Sequence, residues 1–425
     1  GPRGGVTRYR YDDRHLPVEI ENPAGESTHY RYREDGRLSE EIVPGISTTL
    51  YRYDERGRLS EVHILEDDRR TRFRYDAAGN LVERISPSGA TTRYGYSATG
   101  RLVWTEDPSG ARRSFAYDAV GNPVSITDAR GFEARLGYDA VDRLVRITDR
   151  RGYTTRREYR DGTGEVLLTD PAGNTAILDY DARMRLVART DRLGERETWS
   201  YDGAGRITAY SDRTGARTEL RYDGFGRLVE VENPAGAAER FSYDEAGNLV
   251  SRTDGIGNRT TYAYDEPGRQ IRVTDPAGHA THFDYDAQGN VTGTTFPDGM
   301  RREYRYNASG EPVLVREAGR NILELSYTPD GHLRSHTNAA GETHRFQWDA
   351  VGRLRSHTDP TGAETHYVYD AAGNLTSEID AAGEVYRWEY DPAGNVTAEV
   401  NRLGRRAERR YDERGLLVRR VDFSG

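Results

Sequence analysis

A tyrosine recurs every 21 residues along almost the whole chain, from Tyr11 to Tyr411. Most of these tyrosines are followed at once by aspartate and, three residues later, by glycine. Twenty anchor positions share this phase, with one residue gained between Tyr53 and Tyr75 and tryptophan at Trp348. A fixed period of this length is typical of repeat proteins, in which each unit buries its apolar side only against its neighbours.

Each repeat contains two turn signals that divide it into nearly equal halves. The first is the anchor turn, for example Asp118-Ala119-Val120-Gly121, in which aspartate suits the first position and glycine the left-handed position before the returning strand. The second often contains proline, as in Asp107-Pro108-Ser109-Gly110, and proline presets the backbone for a turn. Runs of about six residues rich in β-branched and aromatic side chains separate the turns, too short for helices. The chain is therefore predicted to be an all-β ribbon of about forty antiparallel strands.

The anchor turn supplies the candidate structural residues, because its tyrosine, aspartate and glycine are the positions that the repeat holds most constant. We select four well-formed copies to represent the motif. They are Tyr75, Asp76 and Gly79; Tyr117, Asp118 and Gly121; Tyr243, Asp244 and Gly247; and Tyr369, Asp370 and Gly373.

Four anchor turns lack glycine in phase, at His15, Asp142, Thr163 and Met184. Near Thr163 a glycine, Gly164, comes one residue late, which predicts a local β-bulge. These departures concern single turns and leave the prediction of the fold unchanged.

The recurring signature Tyr-Asp-x-x-Gly-Arg/Asn, followed by an apolar residue, resembles that of the Rhs or YD-repeat family over essentially the whole chain, from Tyr11 to Val421. That family includes bacterial Rhs polymorphic toxins, components of insecticidal toxin complexes, and the animal teneurins. The resemblance implies a hairpin ribbon of about 20 repeats that coils into a spiral hollow shell, or cocoon, around a C-terminal toxin.

The same resemblance sets the expected domain organisation. Residues 6–425 are predicted to form a single YD-repeat array that is incomplete at its C-terminus and carries no toxin domain. Residues 1–5 read as a cloning remnant or a cut point. The family's autoproteolytic segment has no match, because Asp391-Pro392-Ala393-Gly394 reads as an ordinary repeat turn.

Composition fits a thin sheet better than a compact ball. Only 35% of residues are hydrophobic, 31% are charged, and the mean hydropathy is -0.88. We expect the 29 tyrosines to stack ring on ring along the ribbon while their hydroxyls stay in water. Arginines that follow the turn glycine are expected to pair across strands with aspartate or glutamate. They are Arg37, Arg58, Arg101, Arg206, Arg227, Arg269 and Arg353.

Tests for an active site lead to the prediction that the chain is not an enzyme, with no catalytic, cofactor-binding or metal-binding residues. The sequence contains no lysine and no phosphate-binding loop, and Gly255-Ile256-Gly257 lacks the third glycine of a dinucleotide motif. His336 and His357 share a phase and are expected to lie near each other, with His344 and His366 close in sequence, but a third metal ligand is not evident. The turn aspartates could also bind calcium, although the turn itself requires aspartate.

These observations favour a non-catalytic structural shell that encapsulates and helps deliver a C-terminal toxin, in a bacterial protein that is secreted or delivered at a cell surface. The alternative is a repeat module that binds carbohydrate or a cell-surface partner. The expected partners are the toxin cargo and a secretion apparatus. Interspersed charges with a net charge of -9 argue against nucleic acid, and no apolar run is long enough to span a membrane. Uncapped edge strands at the two ends of the ribbon predict self-association.

Overall fold

The computed structural model describes residues 6–423, and residues 1–5, read above as a cloning remnant or a cut point, lie outside them. Across the described residues the chain forms forty β-strands and no helix, all in one sheet. The first twenty are β1 Arg8–Tyr11, β2 Pro17–Glu21, β3 Ser27–Tyr32, β4 Leu38–Val43, β5 Ser47–Tyr53, β6 Leu59–Ile64, β7 Arg69–Tyr75, β8 Leu81–Ile85, β9 Thr91–Tyr96, β10 Leu102–Glu106, β11 Arg112–Tyr117, β12 Pro123–Thr127, β13 Glu133–Tyr138, β14 Leu144–Thr148, β15 Thr154–Arg160, β16 Glu165–Thr169, β17 Thr175–Tyr180, β18 Leu186–Thr190, β19 Arg196–Tyr201 and β20 Ile207–Ser211. The second twenty are β21 Arg217–Tyr222, β22 Leu228–Glu232, β23 Ala238–Tyr243, β24 Leu249–Thr253, β25 Arg259–Tyr264, β26 Gln270–Thr274, β27 Ala280–Tyr285, β28 Val291–Thr295, β29 Arg301–Tyr306, β30 Pro312–Glu317, β31 Arg320–Tyr327, β32 Leu333–Asn338, β33 Thr343–Trp348, β34 Leu354–Thr358, β35 Glu364–Tyr369, β36 Leu375–Ile379, β37 Val385–Tyr390, β38 Val396–Val400, β39 Arg406–Tyr411 and β40 Leu417–Val421.

Strands pair with their neighbours in chain order, and every pair is antiparallel, as in β11 with β12 and β12 with β13. In the β11–β12 pair Ala116 faces Ser125, but Tyr117 faces Pro123, so one residue bulges beside the anchor turn. The turn between β12 and β13 has no such shift. Most repeats share this pattern of one bulged and one regular hairpin, and the predicted forty-strand ribbon is confirmed.

The ribbon has two chemically different faces, because side chains alternate along each strand. On the aromatic face lie the residues two positions before each anchor, such as Phe115, which faces Ile126. The opposite, charged face carries the residues one and three positions before each anchor, together with their partners at the middle of the next strand. In β5 and β6 these include Arg52, which faces Glu61.

Burial is shallow because the sheet is a single layer. The most buried side chains are small residues at the middle of strands on the charged face. Examples are Ala188, Ser356 and Ala398, each 1% exposed. The anchor tyrosines are mostly half-buried. Stability therefore comes from contacts between neighbouring repeats, as expected for a repeat array.

The chain divides into two compact units. The first unit comprises the chain up to Thr91 together with Arg221–Phe346. The second comprises Thr92–Leu220 together with the chain from Gln347 onward. Each unit thus combines an early and a late stretch of the ribbon, and contacts between those stretches hold it together.

Candidate functional site

The anchor turn is closed by its aspartate. In the copy at Asp118, the carboxylate Oδ1 accepts hydrogen bonds from the backbone amides of Val120, Gly121 and Asn122, at 3.1, 2.7 and 2.8 Å. The amide of Asp118 in turn donates to the carbonyl of Asn122 at 3.0 Å. The aspartate therefore satisfies amides that the turn leaves without strand partners.

The other selected copies have the same geometry. The amide of the residue after the turn glycine donates to the aspartate Oδ1 at 2.8 to 2.9 Å for Asp76, Asp244 and Asp370. The turn glycines all have positive φ, which glycine adopts without strain. Their values are 96° at Gly79, 113° at Gly121, 91° at Gly247 and 93° at Gly373.

The anchor tyrosine connects one repeat to the preceding one. The hydroxyl of Tyr243 donates to the carbonyl of Leu228 at 2.8 Å, and the hydroxyl of Tyr369 donates to the carbonyl of Leu354 at 3.0 Å. Tyr117 makes the same bond to Leu102 at 2.9 Å. The expectation that these hydroxyls stay in water is therefore wrong, because they are hydrogen-bonded to backbone about 15 residues upstream.

The arginine after the turn glycine performs three tasks that the sequence did not reveal. Arg227 Nε donates to its own turn aspartate, Asp223, at 2.7 Å. Its guanidinium lies 4.8 Å from the ring centre of the next anchor, Tyr243, and also donates to the carbonyl of Asp244 at 2.9 Å. The arginine of one repeat therefore contacts the anchor tyrosine of the next. It pairs with the aspartate of its own turn, which corrects the expected pairing across strands.

The same arginine contact recurs along the ribbon with a fixed spacing of 16 or 17 residues from arginine to ring. The guanidinium lies over the next anchor ring in the pairs Arg58 and Tyr75, Arg101 and Tyr117, Arg143 and Tyr159, Arg185 and Tyr201, Arg269 and Tyr285, and Arg353 and Tyr369. The phase of arginine in the repeat was the signal that could have predicted this contact.

Three of the four turns without an in-phase glycine keep the same backbone. His15, Asp142 and Met184 adopt φ values of 63°, 64° and 60° at the glycine position. A side chain in this left-handed region is strained, so the turn is preserved at a cost in stability. The predicted bulge at Gly164 is wrong, since β15 and β16 pair without a register shift from Arg156 to Arg160.

Hydrogen bonding lowers the pKa of the turn carboxyls. In Asp76, donation from the Asn80 side chain and from its backbone amide holds the pKa below the ordinary 3.8. In Asp181, the backbone amide and guanidinium of Arg185 have the same effect on the pKa. These carboxylates are therefore ionised at neutral pH, where they act as hydrogen-bond acceptors.

Within the first unit, the early and late stretches of ribbon meet along a line that we call the first seam, which joins turns of the early stretch to turns of the late stretch. Arg69 makes a bidentate ion pair with Glu311, at 3.0 and 2.6 Å. The carboxylate of Asp330 accepts from the Ser88 amide at 3.0 Å and from the Ser88 hydroxyl. Additional contacts join Asp67 with Ser309, Glu26 with Arg269, and Ser47 with Gln288.

Burial and hydrogen bonding act in opposite directions on the acids of the first seam. Partial burial acts to raise the pKa of Glu311, but hydrogen bonds from Arg69 and Asn307 outweigh it and leave the pKa below 4.5. The pKa of Asp330 is likewise lowered, since the bonds from Ser88 outweigh its burial. The carboxylates of Glu311 and Asp330 are therefore ionised at neutral pH and hold the first seam as charged acceptors.

The second unit contains a corresponding second seam. Arg130 donates to the backbone carbonyl of Pro392 at 3.0 Å and lies 3.5 Å from the Asp370 carboxylate. Arg151 donates to the carbonyls of Asp412 and Glu413 at 3.3 and 3.4 Å. Asp370, selected as a turn residue, thus also takes part in a contact between distant repeats.

Both seams follow one spacing rule. Hydrogen-bonded partners lie between 241 and 262 residues apart, which equals about eleven and a half to twelve and a half repeats. The half repeat arises because the two kinds of turn lie on opposite edges of the ribbon. Edge-to-edge stacking therefore brings a second-half turn of the early stretch against an anchor turn of the late stretch.

Two of the four histidines considered above lie side by side. His336 and His344 face each other on β32 and β33 with ring centres 4.7 Å apart. His357 and His366 belong to the second unit, where His366 faces Ser356 and His357 faces Thr365. A search of residues 6–423 finds no group of three or more histidine, cysteine, aspartate or glutamate side chains arranged to hold a metal ion.

The same part of the chain contains no helix that is long and apolar enough to cross a membrane.

Two family models match this sequence. The RHS repeat model matches residues 53–91, 75–106, 96–133, 138–175, 327–364, 348–385, 369–406 and 390–425, which together make up slightly more than half of the chain. A model described as teneurin YD-shell matches residues 173–313. No curated protein matches the chain.

Solved structures share the fold at low sequence identity. A mutant of the Photorhabdus luminescens Tc holotoxin pore matches with a TM-score of 0.63 and 15% identity, over 98% of this chain and 25% of that chain. A TcdB2–TccC3 crystal structure without the hypervariable C-terminal region matches with a TM-score of 0.57 and 13% identity, over 98% of this chain and 31% of that chain. The present chain thus spans about a quarter to a third of the chains it matches.

Proposed function

Since this chain belongs to the RHS-repeat family, we propose that it is a section of a non-catalytic shell wall that encloses a C-terminal effector and helps deliver it. The observation that carries the proposal is the edge-to-edge seam found in each unit. A single ribbon is only as wide as one strand is long, whereas two stacked stretches double the height of the wall.

The chemistry of the seams suits a wall. Ion pairs and hydrogen bonds such as Arg69–Glu311 and Arg130–Pro392 fix which turns meet, without burying a large apolar surface between the stretches. Directional polar contacts specify register more strictly than apolar packing does. The turns themselves are closed by aspartate and tyrosine, so the motif residues are assigned to building the wall and not to catalysis.

The matched structures indicate which assemblies to consider. They are a Tc holotoxin pore and a TcdB2–TccC3 complex without its hypervariable C-terminal region. By analogy, we assign a toxin cargo and a secretion apparatus as the partners of this chain. A bacterial protein that is secreted or delivered at a cell surface follows from the same analogy.

Electron cryo-microscopy of the purified chain tests the wall. We expect curved walls around a solvent-filled lumen, and a compact rod with no lumen would refute the proposal. Enclosure is tested separately by fusing a small folded reporter after Gly425 and measuring its protection from protease. A fusion that carries both Arg69→Glu and Arg130→Glu, which breaks both seams, should lose this protection. A fusion with Arg217→Glu, at an exposed position outside the seams, is the matched control and should keep it.

The alternative function, binding of carbohydrate or a cell-surface partner, is favoured by one observation. The rings of Tyr386 and Trp388 lie 4.6 Å apart, with Phe423 packed edge-on against Tyr386. Adjacent aromatic rings are a common platform for sugar rings. Binding to a glycan array that disappears in Trp388→Ala, and not in Trp199→Ala, would support this function over enclosure.

A further inference from the structure

The charged face of the ribbon repeats one arrangement in which a glutamate lies between two arginines on neighbouring strands. Glu61 on β6 is 3.2 Å from Arg52 and 2.9 Å from Arg72. Glu230 on β22 is 2.6 Å from Arg221 and 2.8 Å from Arg240. We call this arrangement the arginine–carboxylate–arginine triad. The central carboxylate cancels the repulsion between two like charges on one sheet face.

The triad is broken on β13, β14 and β15. At the corresponding register positions Gly137 faces Arg146, and Arg146 faces Arg156. The central glutamate is therefore replaced by arginine, and the first arginine is replaced by glycine. Two arginines therefore stand directly opposite each other in register, and such a like-charge pair is destabilising unless an anion neutralises it.

The acids nearby are already occupied or absent. Among the residues that the structure describes, no ion pair involves Arg146, Arg156 or the neighbouring Arg157. Glu158 lies next to them but is directed to Arg160, at 3.8 Å. All three arginines are exposed, so their charges are accessible to a ligand.

A hollow of about 420 Å³ lies over these strands. Its lining residues are Gly137, Tyr138, Val145, Arg146, Arg156, Arg157, Glu158 and Thr169, so three arginines and one glutamate surround it. A Cβ atom at position 137 would lie only 3.2 Å from Nε of Arg146, so the Arg146 side chain lies close over Gly137. In the complete triad of β5 to β7, the equivalent position holds an arginine, Arg52, which faces Glu61.

We propose that Arg146 and Arg156 bind a carboxylate of an acidic peptide segment, which completes the triad from outside the chain. Guanidinium groups bind carboxylates through paired, charge-assisted hydrogen bonds, and the other triads show that this face holds a carboxylate between two arginines. The net charge of -9 repels acidic peptides in general, so binding of such a peptide would indicate a local basic site on the chain. The assignment rests on β13 to β15 alone and does not depend on the shell function.

The test is binding of a fluorescein-labelled hexaglutamate peptide to the full chain, measured by fluorescence anisotropy. Arg146→Glu rebuilds an internal glutamate–arginine pair and should weaken binding by about tenfold or more. Arg272→Glu is the matched control, because Arg272 has the same register on β26, is exposed, and faces Ala263 and His282 instead of another arginine. That variant should change the affinity by less than about twofold.

Two further measurements complete the test. Arg146→Glu should unfold at the same temperature as the wild type or higher, since it removes a like-charge pair, and Arg156→Gln should weaken binding similarly if the first variant folds poorly. Absence of peptide binding, equal losses in the Arg146 and Arg272 variants, or displacement of the peptide by an equal concentration of inorganic phosphate would each overturn the proposal.

Discussion

The guanidinium of Arg227 stacks on the ring of Tyr243, 4.8 Å from its centre, while it bonds the turn aspartate of its own repeat. One side chain therefore joins the turn of one repeat to the tyrosine of the next. The contact recurs in repeats that have arginine after the turn glycine, whereas asparagine takes that position at Asn122 and Asn248. Stability is predicted to depend on the contact in each repeat that has it.

Arg227→Lys should destabilise the chain by about 1 kcal/mol. Lysine keeps the charge but cannot bond Asp223, contact the Tyr243 ring and reach the Asp244 carbonyl at the same time. Urea unfolding monitored by circular dichroism measures the difference. Arg217→Lys is the control, since exposed Arg217 contacts only exposed Glu219, and its effect should stay below about 0.3 kcal/mol. Equal effects of the two substitutions would contradict the role of the stacked arginine.

Tyr243→Phe should also cost about 1 kcal/mol, because it removes the hydroxyl bond and leaves the carbonyl of Leu228 without that donor. Thermal and urea unfolding of the variant and the wild type would measure this loss of stability. Tyr9→Phe is the matched control, because Tyr9 is 54% exposed. If the two variants unfold alike, the hydroxyl bond contributes nothing to stability.

Met184→Gly should stabilise the chain by about 0.5 kcal/mol. Met184 has a φ of 60°, and the relief of left-handed strain exceeds the entropic cost of introducing glycine. Met300→Gly provides the control, since the chain has two methionines and Met300 is not among the residues with positive φ. Met300→Gly should not stabilise. A lower urea midpoint for Met184→Gly than for wild type would refute the strain argument.

Acid should weaken the first seam. The folded pKa of Glu311 lies below its ordinary 4.5, so its ion pair with Arg69 stabilises the fold above that pH and is lost as pH falls through the lower, folded pKa. The free energy of unfolding, measured between neutral pH and about pH 3, should fall less steeply with pH for Glu311→Gln than for wild type. Glu303→Gln is the control, because Glu303 contacts only exposed Arg301 in its own stretch. Identical pH profiles for wild type and Glu311→Gln would contradict a contribution from this pair.

Self-association is predicted to involve the last strand. Leu417 and Val418 on β40 are 50% and 62% exposed, and β40 pairs with β39 on one side. Replacing both residues with lysine should reduce self-association measured by sedimentation velocity, because edge lysines disfavour strand pairing between chains. The same double substitution at the exposed turn residues Phe225 and Ile256 is the control. A wild-type chain that stays monomeric at high concentration would refute the prediction.

Much of the fold could be predicted because its information is local. Turn chemistry in units such as Asp118 to Gly121 depends on four or five adjacent residues, and the 21-residue period repeats it, so strand number and direction followed directly. The turn aspartates accept the backbone amides of their turns, as the local turn chemistry requires. The bulge expected at Gly164 is absent because β15 continues one residue past its anchor, so that Arg160 pairs with Glu165 and no residue is left to bulge.

The roles of tyrosine and arginine were harder to predict because they join neighbouring repeats. Ring-on-ring stacking was expected from the period, yet anchors one repeat apart are separated by two strand spacings, about 9.6 Å, which is too far for direct stacking. Arg227 fills that gap above Tyr243. The tyrosine hydroxyl similarly reaches a carbonyl in the preceding repeat, which becomes apparent only when the strands are placed side by side.

The repeat spacing alone determined an antiparallel ribbon of forty strands and the residues that close its turns, because those interactions lie within one or two hairpins. Only the folded chain decided which distant turns meet, as in Arg69 with Glu311 or Arg130 with Pro392. The reason is that these partners lie 242 and 262 residues apart, about eleven and a half and twelve and a half repeats, and such distances are set by the accumulated twist and bend of more than twenty strands. Small differences in twist and bend at each strand add up over that length, and no single residue encodes their sum.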